Sequence, residues 1–507
     1  MAITTRVVAG AAAALWFSAL AAAAQDVTLT APGGGIAVSG QLRAYDGAYY
    51  RVETAYGLLT LEAADVDCAG PGCPDLKRFT PEIVIAGEPW PGLALIAPLV
   101  SAHAAAAGHA LHLDDDLALR IASAERDELR VIFRPMPAGA AMEALAEEAA
   151  TFALTLADPG TREGRLAAME ALVPVVAPDN PAERIGLDGL RGVAAGEIVN
   201  WRAFGGPDMP IALHALHDGH ELQRLIDARI GTPPATAIRH RDPEPMAHAV
   251  ARDPWALALL PASAAGGLRV LTLRDACGHL MRPTGFAVKA GDYPLAAALH
   301  LVSGNRRLPP AARALAATLA TPAGQAAVAQ AGLVDLRPEA QPVTDQGGRL
   351  VNAIKAAGPE VTLTDLQRLA GALAGAERLS LTFRFAGGTS GLDAASRSHA
   401  ADLAHLLESG AFDGWELIFT GFSDGEGPAA ANLTLARGRA EAVRDAVLER
   451  APMLAPGRVV LSVDAFGEAL PMACDDTEVG RRINRRVELW LRPAPPDQPT
   501  EDQPEQP

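Results

Sequence analysis

The chain has 507 residues and a formal net charge of −17, with 49% hydrophobic, 20% charged and only 5% aromatic residues. That length implies two or three domains with sizeable cores, and the composition excludes a chain that is disordered throughout. No Lys/Arg stripe offsets the acidic balance, which argues against nucleic acid and anionic lipid surfaces as partners.

In chain order, residues 1–24 read as a secretory signal peptide. Arg6 supplies the positive start, residues 7–21 an apolar run, and Ala22, Ala23 and Ala24 a small-residue cleavage site. No Cys follows the run, which argues against a lipid anchor. No later stretch is apolar for long enough to span a bilayer, so no transmembrane segment is expected in the mature chain. Residues 25–78 read as a small β module, with strands over 36–42, 49–54 and 58–61 and turns at Asp46-Gly47 and Tyr56-Gly57. The module ends at Cys68 and Cys73, which flank a Gly/Pro turn and are expected to form a disulfide in an oxidising compartment. A C-x4-C pair with no second pair is a poor zinc site. Cys277 and Cys474 fall in different predicted domains; they bond across them, or each is free.

Residues 79–336 alternate strand and helix, the pattern of an α/β domain. Strands are predicted over 83–85, 129–133, 172–176 and 256–260, and helices over 95–108, 138–148, 220–230 and 295–303. Residues 337–376 read as a partly helical connector with a helix over 363–373, and residues 377–493 as an α+β domain. The Pro-rich, acidic residues 494–507 read as a disordered tail.

Residues 421–443 carry the most specific signal. A strand with Trp415, Leu417 and Phe419 alternating ends at Gly421, turns through Ser423, Asp424 and Gly427, and gives way to a helix with Ala436, Ala440, Val443 and Val447 on one face. A carboxylate on the turn (Asp424) and a guanidinium on the helix (Arg439) can converge on a zwitterion, the first on its ammonium and the second on its carboxylate. The segment resembles the OmpA-like C-terminal domain, through Gly421, Phe422, Ser423, Asp424, Gly427, Asn432, Leu435, Arg439, Ala440 and Val443, with Ala436 where that family usually has Ser. The closing element Gly480, Arg481, Asn484, Arg485, Arg486, Val487, Glu488 matches as well. The resemblance implies binding of peptidoglycan through the diaminopimelate of its stem peptide, with Asp424 and Arg439 as principal contacts and Asn432 beside them.

In the middle region, the Gly196-Glu197-Ile198-Val199-Asn200-Trp201 element and Tyr293-Pro294-Leu295 resemble the phosphate-type substrate-binding proteins of ABC transporters. That resemblance implies a type-2 periplasmic-binding-protein fold, two α/β lobes around a cleft. In that family hydroxyls and helix N-termini hold the anion. Here the expected Ala-Gly-Ser-x-Thr loop reads Ala86, Gly87, Glu88, Pro89, Trp90, and the expected Ser-Gly-Thr reads Asp218, Gly219, His220. At about 4 Å and an effective dielectric near 20, each like-charge contact costs about 4 kcal/mol. That exceeds the ~2 kcal/mol a helix terminus can contribute. The expectation is therefore a degenerate solute cleft around Glu88, Asp218, Gly219 and His220.

His214, His217 and His220, with Asp218 and Glu221, would hold a metal only if the chain turned near His217, since residues three and six apart on a strand do not share a face; no metal or cofactor is expected. No Gly-x-Ser-x-Gly, His-Glu-x-x-His or Walker-type loop is present, so no enzyme activity is expected. The sequence thus describes a non-catalytic protein of the Gram-negative periplasm and outer envelope, bound to peptidoglycan and presenting a degenerate solute-binding module. Two alternatives stand beside it: a working substrate-binding protein for phosphate or another small solute, and a scaffold for another envelope protein.

Overall fold

The computed structural model describes residues 26–495 apart from 77, 161, 163 and 387–390. The predicted signal peptide lies outside the described residues, as does the predicted tail beyond residue 495. Two units divide after Pro81.

The first unit is a five-stranded sheet. Gly57–Glu62, Tyr49–Thr54 and Ala37–Tyr45 form a meander, and Val27–Thr30 pairs Ala37–Tyr45 on one side and Asp67–Ala69 on the other. Val27, Leu29, Tyr50 and Val52 form its small core. Cys68 is bonded to Cys73.

In the second unit one 11-stranded sheet runs through two lobes. The first lobe holds the hairpin Ala110–Leu113/Leu119–Ala122, then Asp127–Pro135, Glu82–Gly87, Phe152–Thr155 and Ala296–Ser303. The second holds Ala256–Pro261, Ala212–Leu216 and Ile238–His240. Gly164–Val176 joins them: residues 164–171 pair with Ala296–Ser303 and residues 172–175 with Ala256–Pro261. Helices cover both faces, as a mostly buried, near-continuously apolar sheet requires. Residues 295–303, expected as a helix, are instead the strand Ala296–Ser303. A short apolar run gives no period that separates a buried strand from a buried helix, and here both its neighbours are strands.

The C-terminal sheet has the order Ala340–Pro342, Glu377–Phe383, Arg486–Pro493, Trp415–Phe422, Val460–Gly467. Its side chains alternate between two cores, as a strand period of two demands. Leu417, Phe419, Val487 and Leu489 pack under the helices Ala394–Glu408 and Ala429–Leu448. Ile418, Phe422, Phe466 and Trp490 face the other way, onto Leu369 and Leu373. Residues 337–376, read as a connector, are therefore part of this domain: they supply an edge strand and the helices Gly347–Ala356 and Leu363–Ala372 that cover the second face.

This domain is built onto both lobes. The helix Ala394–Glu408 lies against Gly164–Val176, where Ser398 Oγ accepts from the Leu166 amide (3.0 Å) and Asp402 pairs with Arg165 (2.8 Å). Cys474 is bonded to Cys277, between the strands Thr272–Arg274 and Leu280–Met281 beside the second lobe. Arg378 is buried and meets Asp292 (2.6 Å) and Glu488 (3.2 Å). Burial alone would raise the Glu488 pKa, but Arg349, Arg378 and Arg486 outweigh it and hold the carboxyl well below its usual range.

Candidate functional site

The strand Trp415–Phe422 delivers Asp424 to the C-terminal end of the sheet, and the helix Ala429–Leu448 returns across it to place Arg439 nearby. The close approach of the two elements needs Gly421, because a Cβ there would stand 2.0 Å from the Ala436 carbonyl oxygen. Asp424 is 8% exposed and accepts from Arg485 Nη1 at 2.6 Å. Arg439 stays apart from that pair. Its Nη1 is buried with no hydrogen-bond partner among the described residues, and its guanidinium lies 5.4 Å from the centroid of the Phe385 ring. Burial, and then the charge of Arg485, pull its pKa down, while Asp424 acts in the opposite sense. The arrangement leaves one unsatisfied cationic donor beside a carboxylate that can still accept. Asn432 plays a supporting part: its amide donates to Glu468 (2.8 Å) and fixes the turn after Asp424.

The cleft between the lobes contains protein carboxylates. Glu88 is buried, and its Oε1 lies 3.4 Å from the Ala138 amide and 3.3 Å from the Glu221 amide. Those are the first amides of the helices Ala138–Ala146 and Glu221–Ile230, so two positive helix ends converge on one carboxylate oxygen. Glu221 is buried as well. Its Oε1 accepts from Thr155 Oγ1, from the Leu156 amide (3.0 Å) and from the Ala157 amide (3.1 Å). Burial first, and the charge of Glu88 last, raise the Glu221 pKa.

The second acid of the cleft is thus Glu221, and Asp218 is not part of it. Asp218 and Gly219 are exposed, with Asp218 paired to Arg239 at 3.0 Å. His220 caps the helix Glu221–Ile230 by accepting from the Leu222 amide, and burial, then His217, pull its pKa down to about 4. The three histidines do not converge. His214 bonds His240 at 2.9 Å, and His217 is exposed with its ring 5.6 Å from that of His220. Asn200 and Trp201 are architectural: Asn200 caps the short helix Trp201–Phe204, and the buried Trp201 indole donates to the Trp255 carbonyl (3.0 Å).

Residues 384–485 match the OmpA family, and residues 97–321 match the PBP superfamily domain. The chain carries an OmpA-family domain behind a PBP-superfamily domain. No curated protein matches it. Among solved structures, an ABC-type phosphate transport receptor from Vibrio cholerae is 15% identical, covering 50% of this chain and 99% of its own at a TM-score of 0.40. A putative phosphate ABC transporter substrate-binding protein with bound phosphate from Clostridium perfringens is 14% identical over 50% and 100%, at 0.40. The periplasmic domain of Helicobacter pylori MotB is 18% identical over 24% and 77%, at 0.21.

Within the OmpA-family domain, sequence reasoning missed Arg485, although it sits inside the closing motif. Its partner Asp424 is 61 positions away, and only the antiparallel pairing of Trp415–Phe422 with Arg486–Pro493 brings them together. In the PBP-superfamily domain Glu221 reads in the sequence only as a companion of the histidines and not as a cleft acid, because an acid at a helix start is an ordinary favourable first-turn residue. No helix among the described residues is long and apolar enough to cross a membrane.

Proposed function

We propose that the protein is a non-catalytic component of the Gram-negative envelope, held in the periplasm on peptidoglycan through the diaminopimelate of the stem peptide. The observation that carries this reading is the unpartnered, buried Nη1 of Arg439 beside the Asp424 carboxylate. A stem-peptide carboxylate would satisfy Arg439, and its ammonium would share Asp424 with Arg485. The PBP-superfamily domain is, on the same reading, a module whose anion slot is already taken: Glu88 and Glu221 accept the amides and the hydroxyl that an oxyanion would need.

Sedimentation of the full chain with isolated peptidoglycan tests the assignment. Among the described residues Arg439 makes no ion pair and its Nη1 no hydrogen bond, so Arg439→Ala should leave folding unharmed while binding falls by ~2–5 kcal/mol, at least about thirtyfold. Asp424→Ala should lose binding too, with a smaller loss of stability, because Arg485 keeps its pair with Glu478. Arg439→Ala sedimenting at wild-type levels would sink the proposal.

A further inference from the structure

A second cationic site lies where the two domains meet. A cavity of about 140 Å³, open to solvent on one side, lies there, roughly ten times the ~10–15 Å³ needed to hold one water. Four cations line it: Arg229 from the end of the helix Glu221–Ile230, Lys289, Arg384 and Arg482. Two of them are already engaged. Lys289 pairs with Asp335 (2.9 Å) and Glu339 (2.6 Å), and Arg384 shares Asp292 (3.3 Å) with Arg378.

Arg229 and Arg482 make no ion pair among the described residues. Arg229 Nη1 is buried with no hydrogen-bond partner, and so is Arg384 Nε. Burial, and then the charge of Arg482, pull the Arg229 pKa down to about 10, still well above neutrality. The lining holds one carboxylate, Asp393, and its Oδ1 caps the helix Ala394–Glu408 at the Ser396 amide (2.8 Å). His399 adds no charge, since burial lowers its pKa. A buried guanidinium without a counter-charge is expensive, and guanidinium groups match tetrahedral oxyanions with paired donors.

We propose that this interdomain cavity binds a small, multiply charged oxyanion of the phosphate or sulfate type, held by Arg229 from the PBP-superfamily domain and Arg482 from the OmpA-family domain. None of Glu88, Glu221, Asp424 and Arg439 lines this cavity. Occupancy ties the two domains together, because each contributes a cation.

Thermal unfolding and calorimetry on the full chain with inorganic phosphate and with sulfate test this, using chloride at equal ionic strength as reference. Wild type should show a saturable rise in melting temperature with both oxyanions and none with chloride. Arg229→Gln should abolish the response. Arg482→Gln, at an exposed position where folding is not at risk, should weaken it at least tenfold. Neither change should alter sedimentation with peptidoglycan, so failure here is distinct from failure there. No saturable response in wild type, or one that persists unchanged in Arg482→Gln, overturns the proposal.

Discussion

Replacing Glu221 by Ala takes the acceptor from Thr155 Oγ1 and from the Leu156 and Ala157 amides, all in a buried setting. A hydrogen bond to a charged group is worth about 1.5–3 kcal/mol, but these three share one oxygen and are not additive. Ala157 keeps a second acceptor, Thr155 Oγ1 at 3.0 Å. Burial of the charge, and repulsion from Glu88, already work against Glu221. The net loss should be about 2–4 kcal/mol, read as a lower urea midpoint at unchanged slope. The vacated space then has free donors facing it and a helix start beside it, so millimolar formate should restore part of the lost stability by mass action. Chloride at the same ionic strength should not. A loss below about 0.5 kcal/mol, or a variant indifferent to formate, would refute the view that Glu221 occupies an anion slot.

Glu170, buried in the strand that joins the lobes, is pushed up to about 7 from 4.5 by burial, against hydrogen bonds from Ser263 and the Ala171 amide. Its folded-state pKa exceeds the unfolded one, so its contribution is complete below pH ~4.5 and is lost as pH rises to about 7. At 1.36 kcal/mol per unit that is about 3 kcal/mol; Glu170→Gln should flatten this part of the stability–pH curve, and an identical curve for wild type and variant would rule the effect out. The Cys277–Cys474 bond closes a separation of 197 residues. Replacing both by Ser should lower stability by about 2–5 kcal/mol, and a non-reducing peptide map in which both thiols are alkylated would show that the bond is absent.

What the sequence revealed depended on the range of the cause. Asp424 and Arg439 were legible because a strand, a turn and a helix contiguous in the chain place them, and Gly421 marks the close approach. Glu88 was legible as an acid in the wrong loop. Its contact with the Glu221 amide spans 133 positions, which no local pattern encodes. Asp218 reads as the cleft acid from its place in the expected Ser-Gly-Thr loop, yet the fold turns Glu221, three positions on, inward instead. Residues 337–376 looked like a linker because nothing local shows what their apolar residues cover, yet Ala353, Leu369 and Leu373 are enough to cap a sheet face that Ile418, Phe422 and Trp490 leave apolar.

A two-lobed binder ordinarily captures and releases its solute by bending at the segments between its lobes, opening and closing about a hinge. Here that segment is splinted. The helix Ala394–Glu408 lies along it, and the same domain is covalently attached beside the second lobe through Cys474. Bending would have to shear a buried Arg–carboxylate cluster and strain a disulfide at once. The contacts of this domain with both lobes oppose such bending, and on the proposed role of Arg439 a pull applied there would be carried into the lobes through those same contacts.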